Sequence, residues 1–241
     1  LGKERIAHIR GHLLRNDGKA YDLPPGHAEK MQRMRAKLEG FLDAPESVFS
    51  RYPKGDNSLS ARYARAVAYH RQSKLSESLA EIDALLATAP QDPFFLELKG
   101  QILFESGRAP EALPLYKAAV NEYPESALLQ ADLGRVLMAL SPPKYEEALV
   151  HLKRSSVMDS SNVLTWKLLG NAYAATQQEG QAALAYAEAA LLENKPDEAF
   201  RQVDTALAKL PAGSPSRLRA EDVRTEASRL KREIEEREGW G

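Results

Sequence analysis

An all-α fold is what this 241-residue sequence predicts: a right-handed α-solenoid of stacked helix pairs, with N-terminal connector helices and a C-terminal capping helix. Three observations lead there. Turn-forming and small residues recur at a near-fixed spacing: Pro90 and Pro124 are 34 residues apart, as are Gly100 and Gly134, and Gly170 follows after 36, its two extra residues falling in the loop at 141–144. Small and large side chains alternate along each period, as required where antiparallel helices approach closely and a large residue on one fills the hole beside Gly or Ala on the other. The two-residue alternation of half-buried strands is absent.

Taken in order, residues 1–57 read as a helical connector or cap. One helix is expected near 3–15 and another near 27–43, separated by Pro24-Pro25, and a turn over 53–58 leads onward. In the second helix Met31, Met34, Leu38 and Phe41 form a stripe that is expected to pack in the ordinary way. Residues 58–241 form the solenoid, with units 59–92, 93–126, 127–162 and 163–194, then a half-repeat and capping helix over 195–238. The most complete unit contains WKLLGNAY, in which Trp166, Leu169, Gly170 and Tyr173 are followed by Ala182, Tyr186 and Ala189. This resembles the tetratricopeptide repeat, W-x2-L-G-x2-Y with its trailing small and aromatic positions. Gly100, Ala112, Tyr116, Ala119 and Pro124 repeat the pattern, as do Gly134, Ala148 and Leu152, while Ala66, Tyr69, Ile82, Leu85 and Pro90 make a weaker first unit. Asp92-Pro93 supplies an N-cap and a proline at the first helical position. After Ala189 the register changes, because Ala199, Val203, Ala206 and Pro211 repeat the second-helix pattern only 17 residues after Ala182. The helix near 181–193 therefore reads as shared between two pairs. Val223, Ala227, Leu230 and Ile234 give the last helix one apolar side and a charged remainder, which suits a solenoid end.

Charge and composition exclude several classes of function. With 33 basic and 34 acidic residues intermixed, the net charge of -1 creates no field for nucleic acid or an anionic membrane. No 18-residue apolar run marks a transmembrane segment. No cysteine is present, so disulfides, thiolate metal sites and cysteine nucleophiles are out. The chain begins at Leu1, which reads as an excised piece or a mature form.

HIRGH, residues 8–12, differs from the zinc-protease signature HExxH at one position: Ile9 stands where the water-activating glutamate belongs. On a helix Glu4, His8 and His12 form a row, but about 1.5 Å of rise per residue puts its ends roughly 12 Å apart, beyond one tetrahedral ion. The two histidines are read as structural or solvated, with no metal and no cofactor in this chain. No phosphate-binding glycine loop or G-x-S-x-G elbow occurs either, so no catalytic residue is assigned.

In solenoids of this kind the first helix of each pair lines the concave side. The repeat register places Tyr63, Val67 and His70 there in the first unit, then Phe94, Glu97, Gln101 and Phe104, then Leu128, Arg135 and Met138, then Lys167 and Asn171. These are the candidate protein-binding residues, expected to face outward into a groove. Lys167 and Asn171 resemble one half of the carboxylate clamp of chaperone-binding tetratricopeptide proteins. Glu97 and Gln101 stand where the pattern needs its counterparts, so a dedicated clamp is not expected. Aromatic and methionine contacts favour a hydrophobic peptide or a partner's helix.

Several stretches carry a narrower resemblance: RMRAKLEGFL (33–42), SARYARAVAYHR (60–71), DPFFLELKGQILFESGR (92–108), AYAATQQEGQAALAYAEAALL (172–192) and SPSRLRAEDV (214–223). They resemble the tetratricopeptide tail of bacterial periplasmic zinc metalloproteases related to the beta-barrel-assembly-enhancing protease. The resemblance implies a periplasmic location and a zinc site confined to an upstream domain, with residues 4–6 near the joint. It also implies a tail that contacts substrates or outer-membrane assembly machinery. Nothing here matches that family's catalytic residues, so none is carried over. The alternative is a free-standing tetratricopeptide adaptor; an enzyme in its own right is the third reading.

Overall fold

A computed structural model describes residues 26–238. These form twelve α-helices and, among the described residues, no strand. In chain order they are α1 (His27–Leu42), α2 (Pro45–Arg51), α3 (Leu59–Arg71), α4 (Leu75–Thr88), α5 (Pro93–Glu105), α6 (Ala109–Glu122), α7 (Ala127–Met138), α8 (Tyr145–Met158), α9 (Val163–Ala175), α10 (Glu179–Leu192), α11 (Pro196–Lys209) and α12 (Pro215–Glu238). The expected helix near 3–15 and the HIRGH histidines lie outside the described residues.

The two helices of a pair begin differently. Each first helix carries a side-chain cap: Ser58, Asp92, Ser126 and Asn162 accept hydrogen bonds from first-turn amides of α3, α5, α7 and α9. The second helices follow tight turns and have no side-chain cap. Left-handed residues, Ser73, Gly107 and Gln177, precede α4, α6 and α10 directly before the helix N-cap. Asn194 does the same before α11. This within-pair turn, together with the packing of α10 against both α9 and α11, makes α10 the second helix of one pair and the first of the next.

Packing within pairs follows the small-to-large rule. A Cβ placed on Gly100 would lie 2.8 Å from the ring of Tyr116, and one on Gly134 2.6 Å from Leu152. Gly170 faces the ring of Tyr186 in the same way. Tyr116 and Leu152 are fully buried between their pairs, alongside Leu133 and Leu137. The helix crossings are thus set where glycine lets a ring touch backbone.

The N-terminal elements depart from the sequence expectation. Helix α1 packs on α3 through its small side, Ala36 and Gly40, with Gly40 against Val67. Met31, Met34 and Leu38 instead face outward, about half exposed, and Leu42 more so, while Phe41, the last of the stripe, packs on the core beside Tyr63 and Val67 as expected. Close approach to α3 requires small residues, so the methionine stripe is turned to solvent. Helix α2, not anticipated as a separate element, inserts Val48 against Ala36, Ala64 and Ala68. Arg65 closes this end. Its side chain is 1% exposed, pairs with Glu81 at 2.7 Å through Nε, and donates to the carbonyls of Pro53 and Asp56 at 2.8 and 2.7 Å.

Candidate protein-binding groove

The face formed by α3, α5, α7 and α9 holds the twelve candidate residues, and the structure treats them unequally. Tyr63, Val67 and Glu97 are 1%, 0% and 6% exposed, contrary to their expected outward orientation. The reason is α1, which lies over α3 and reaches α5. Lys37 donates to Glu97 at 2.8 Å, Arg33 pairs with Asp92, and Arg71 donates to the backbone carbonyls of Gly40 and Asp43. Arg33 also stacks 4.7 Å above the ring of Phe94. His70 is partly buried and pairs with Glu105 at 2.7 Å.

From α5 onward the face is more open. Phe94 and Leu128 are exposed, Gln101 and Phe104 are partly so, and Arg135 lies 4.8 Å over the Phe104 ring. Met138 is partly buried against the core. Lys167 and Asn171 are exposed but engaged: the ammonium pairs with Glu193, and Asn171 accepts from the Tyr186 hydroxyl at 2.7 Å. The two clamp-like residues are therefore committed within the chain.

Two apolar contributors were missed. Leu164 occupies the second position of α9, as Phe94 and Leu128 do in α5 and α7, and is 46% exposed. Its offset from Leu128 is the 36 residues that separate Gly134 from Gly170, which is the signal that finds it. Tyr123, just after α6, stacks against Phe94 with ring centroids 6.4 Å apart. Met31, Met34, Phe94 and Tyr123 together line a cleft of about 670 Å³ at the edge of α1.

The floor of the face is acidic and poorly satisfied. Asp132 of α7 is 8% exposed and pairs with Arg135 at 2.9 Å. Burial pushes its carboxyl up to about 6; neighbouring Glu97 adds to the rise, while Arg135 and Lys37 oppose it. Burial, reinforced by Asp132 and Glu97, also pushes the Tyr116 phenol up. A folded-state value above the ordinary carboxylate range means that the unfolded chain gives up this proton first. Asp132 therefore costs stability progressively as pH rises from about 4 to about 6, and fully above that. Asp132→Asn is expected to stabilise the chain by about 1–2 kcal/mol at pH 7.5 and by little at pH 4. Thermal melts at the two pH values check this, and an equal effect at both sinks it.

Comparison with known proteins agrees with this architecture. Residues 48–93 and 97–155 match the family model of the tetratricopeptide repeat. The chain is 27% identical over 155 residues, 64% of its length, to the beta-barrel assembly-enhancing protease of Escherichia coli K12, and 26% identical over 156 residues to that of Yersinia pestis. The matched stretch is only 31% of the Escherichia coli protein and 32% of the Yersinia pestis one. Among solved structures, MamA residues 41 to the end from Desulfovibrio magneticus RS-1 superposes with a TM-score of 0.57 at 18% identity, covering 71% of this chain and 98% of that one. YrrB, described as a tetratricopeptide protein with an unusual peptide-binding site, gives 0.50 at 16% identity over 80% of this chain and 90% of its own. The chain is thus a right-handed α-solenoid whose residues 48–93 and 97–155 match the tetratricopeptide repeat.

Proposed function

We propose that the chain seats a peptide or a partner's helix along α5, α7 and α9, and that it serves as the tail of a periplasmic zinc metalloprotease. The observation that carries the binding role is the row Phe94, Leu128 and Leu164, exposed apolar side chains at one register position of three successive first helices. Such a row seats apolar side chains at intervals along an extended or helical ligand. No helix among the described residues is long and apolar enough to cross a membrane. The similarity to the beta-barrel assembly-enhancing protease supports the protease-tail reading, with outer-membrane assembly machinery, unfolded substrate or the protease domain as the partner. In this reading zinc and catalysis belong to the upstream domain, and the purified chain neither takes up stoichiometric zinc nor cleaves peptides.

The test is binding of the purified chain to a fluorescently labelled, urea-diluted outer-membrane barrel protein. Phe94→Ala and Leu128→Glu are expected to weaken binding about tenfold or more, the scale of a lost apolar anchor. Charge reversals at Lys153 and Arg154 on the exposed side of α8 are expected to leave it unchanged. Folded groove variants that bind normally while the α8 variants do not would put the ligand on the other face. Tight zinc lost on His8→Ala or His12→Ala would overturn the division of labour.

A further inference from the structure

Two buried carboxylates, Glu97 of α5 and Asp132 of α7, share the floor of the groove with polar groups that have no hydrogen-bond partner. These are the hydroxyls of Tyr63 and Tyr116 and Nε of Arg135. Tyr63 and Tyr116 are 1% and 0% exposed, and both lie within electrostatic reach of Glu97. Arg135 is near Tyr116 without meeting it in hydrogen-bonding geometry. Buried hydroxyls are normally paired, so the two tyrosine oxygens beside these carboxylates leave acceptor capacity for a donor. A lysine ammonium, with three donors, has the matching chemistry.

One ammonium is already there. Lys37 reaches down from α1 and spends a donor on Glu97 at 2.8 Å, but makes no hydrogen bond to either tyrosine. The helix carrying it buries few of its own side chains. Of its sixteen residues only Ala36 and Gly40 are fully buried and Phe41 partly so, its N-cap is Gly26 without a side-chain hydrogen bond, and its four largest aliphatic side chains are exposed. Helix α3 beneath it buries eight residues, and Val48 of α2 packs on Ala64 and Ala68 of α3 as well as on Ala36 of α1. An element with few buried apolar contacts opens at low cost compared with the core.

We propose that Glu97 and Asp132 form a cation subsite of the groove, filled in cis by Lys37, and that α1 stands in for a partner's basic amphipathic helix that takes the subsite when α1 swings away at Asp43–Ala44. Resting on the groove reading above, this assigns the ligand chemistry. The partner helix carries a lysine over the carboxylates and small residues four apart, as Ala36 and Gly40 are, to pass closely over Val67. Its departure uncovers Tyr63, Val67 and Glu97, the three positions that the repeat register assigns to the groove and α1 now covers.

The probe is a labelled synthetic peptide of residues 27–42, HAEKMQRMRAKLEGFL, added to the full chain. Reversing the hold of α1 with Arg33→Glu and Lys37→Glu is expected to speed amide exchange in α1 and raise peptide affinity about tenfold or more. Adding Glu97→Gln and Asp132→Asn should return it to the wild-type level, and a peptide with Met at the Lys37 position should bind about tenfold more weakly. Lys37→Ala alone, which removes the occupant without repulsion, should shift affinity in the same direction and serves if the double reversal impairs folding by circular dichroism. An α1 as protected from exchange as α3, or an opened α1 with no gain in peptide binding, overturns the proposal. If Phe94→Ala abolishes peptide binding while the carboxylate variants leave it intact, the subsite is wrong and the groove reading stands; if neither matters, both fall.

Discussion

Arg65→Met is expected to destabilise the chain by about 3–5 kcal/mol, the range for removing one partner of a buried ion pair. Methionine keeps much of the volume but none of the donors. Glu81 loses its bidentate partner, and the carbonyls of Pro53 and Asp56, which cross from the α2–α3 connection, lose theirs. At about 2–4 °C per kcal/mol for a chain of this size, the melting temperature should fall by roughly 6–20 °C. Hydrogen exchange should rise first over residues 52–58, because their carbonyls are what Arg65 holds. Arg62→Met is the control: it touches the same Glu81 at 3.1 Å from a more exposed position, and surface pairs contribute about 0–1 kcal/mol. Equal shifts for the two variants would mean that Arg65 acts as surface charge rather than as the bolt between the first pair and its connector.

Gly170→Leu should cost about 3 kcal/mol, at or beyond the upper end of ordinary overpacking. The glycine faces the ring of Tyr186 so closely that no Cβ fits without movement, and the ring is itself tied to Asn171 through its hydroxyl. Moving the ring opens the α9–α10 contact and breaks that hydrogen bond together. Gly55→Ala has nothing within 4 Å of its new Cβ and an ordinary backbone, so it should leave the melting curve in place. A Gly170→Leu curve that coincides with the Gly55→Ala curve would show that the pair spacing is not set by glycine.

The same offsets explain what the sequence made legible. Gly100 and Tyr116, Gly170 and Tyr186, and Ala66 and Ile82 are each 16 residues apart, and that interval encodes the within-pair contact. Solenoid contacts are mostly local, so periodicity alone locates them. Arg65 and Glu81 share the offset too, and an arginine set among Ala61, Ala64, Ala66 and Ala68 could have been read as a buried one. The covering of Tyr63, Val67 and Glu97 was not legible, because a repeat register says where a side chain points but not whether another segment lies upon it. Here the hint was Ala36 and Gly40, four apart on one side of α1, which predicts close approach to a neighbour without naming it. Of the apolar stripe expected to pack, Phe41 does so, while Met31, Met34 and Leu38 face solvent.

Helix α10 ties the C-terminal helices together. Nine of its fourteen residues are buried, among them Glu188, whose carboxylate is clasped by both ends of the Arg219 guanidinium from α12. With partners on every side, α10 leaves no seam at which the array divides into independently stable blocks. A chain cut after Leu192 would bare its alanine-rich flank and strand Glu188 without its arginine, so the last three helices should melt as one cooperative step.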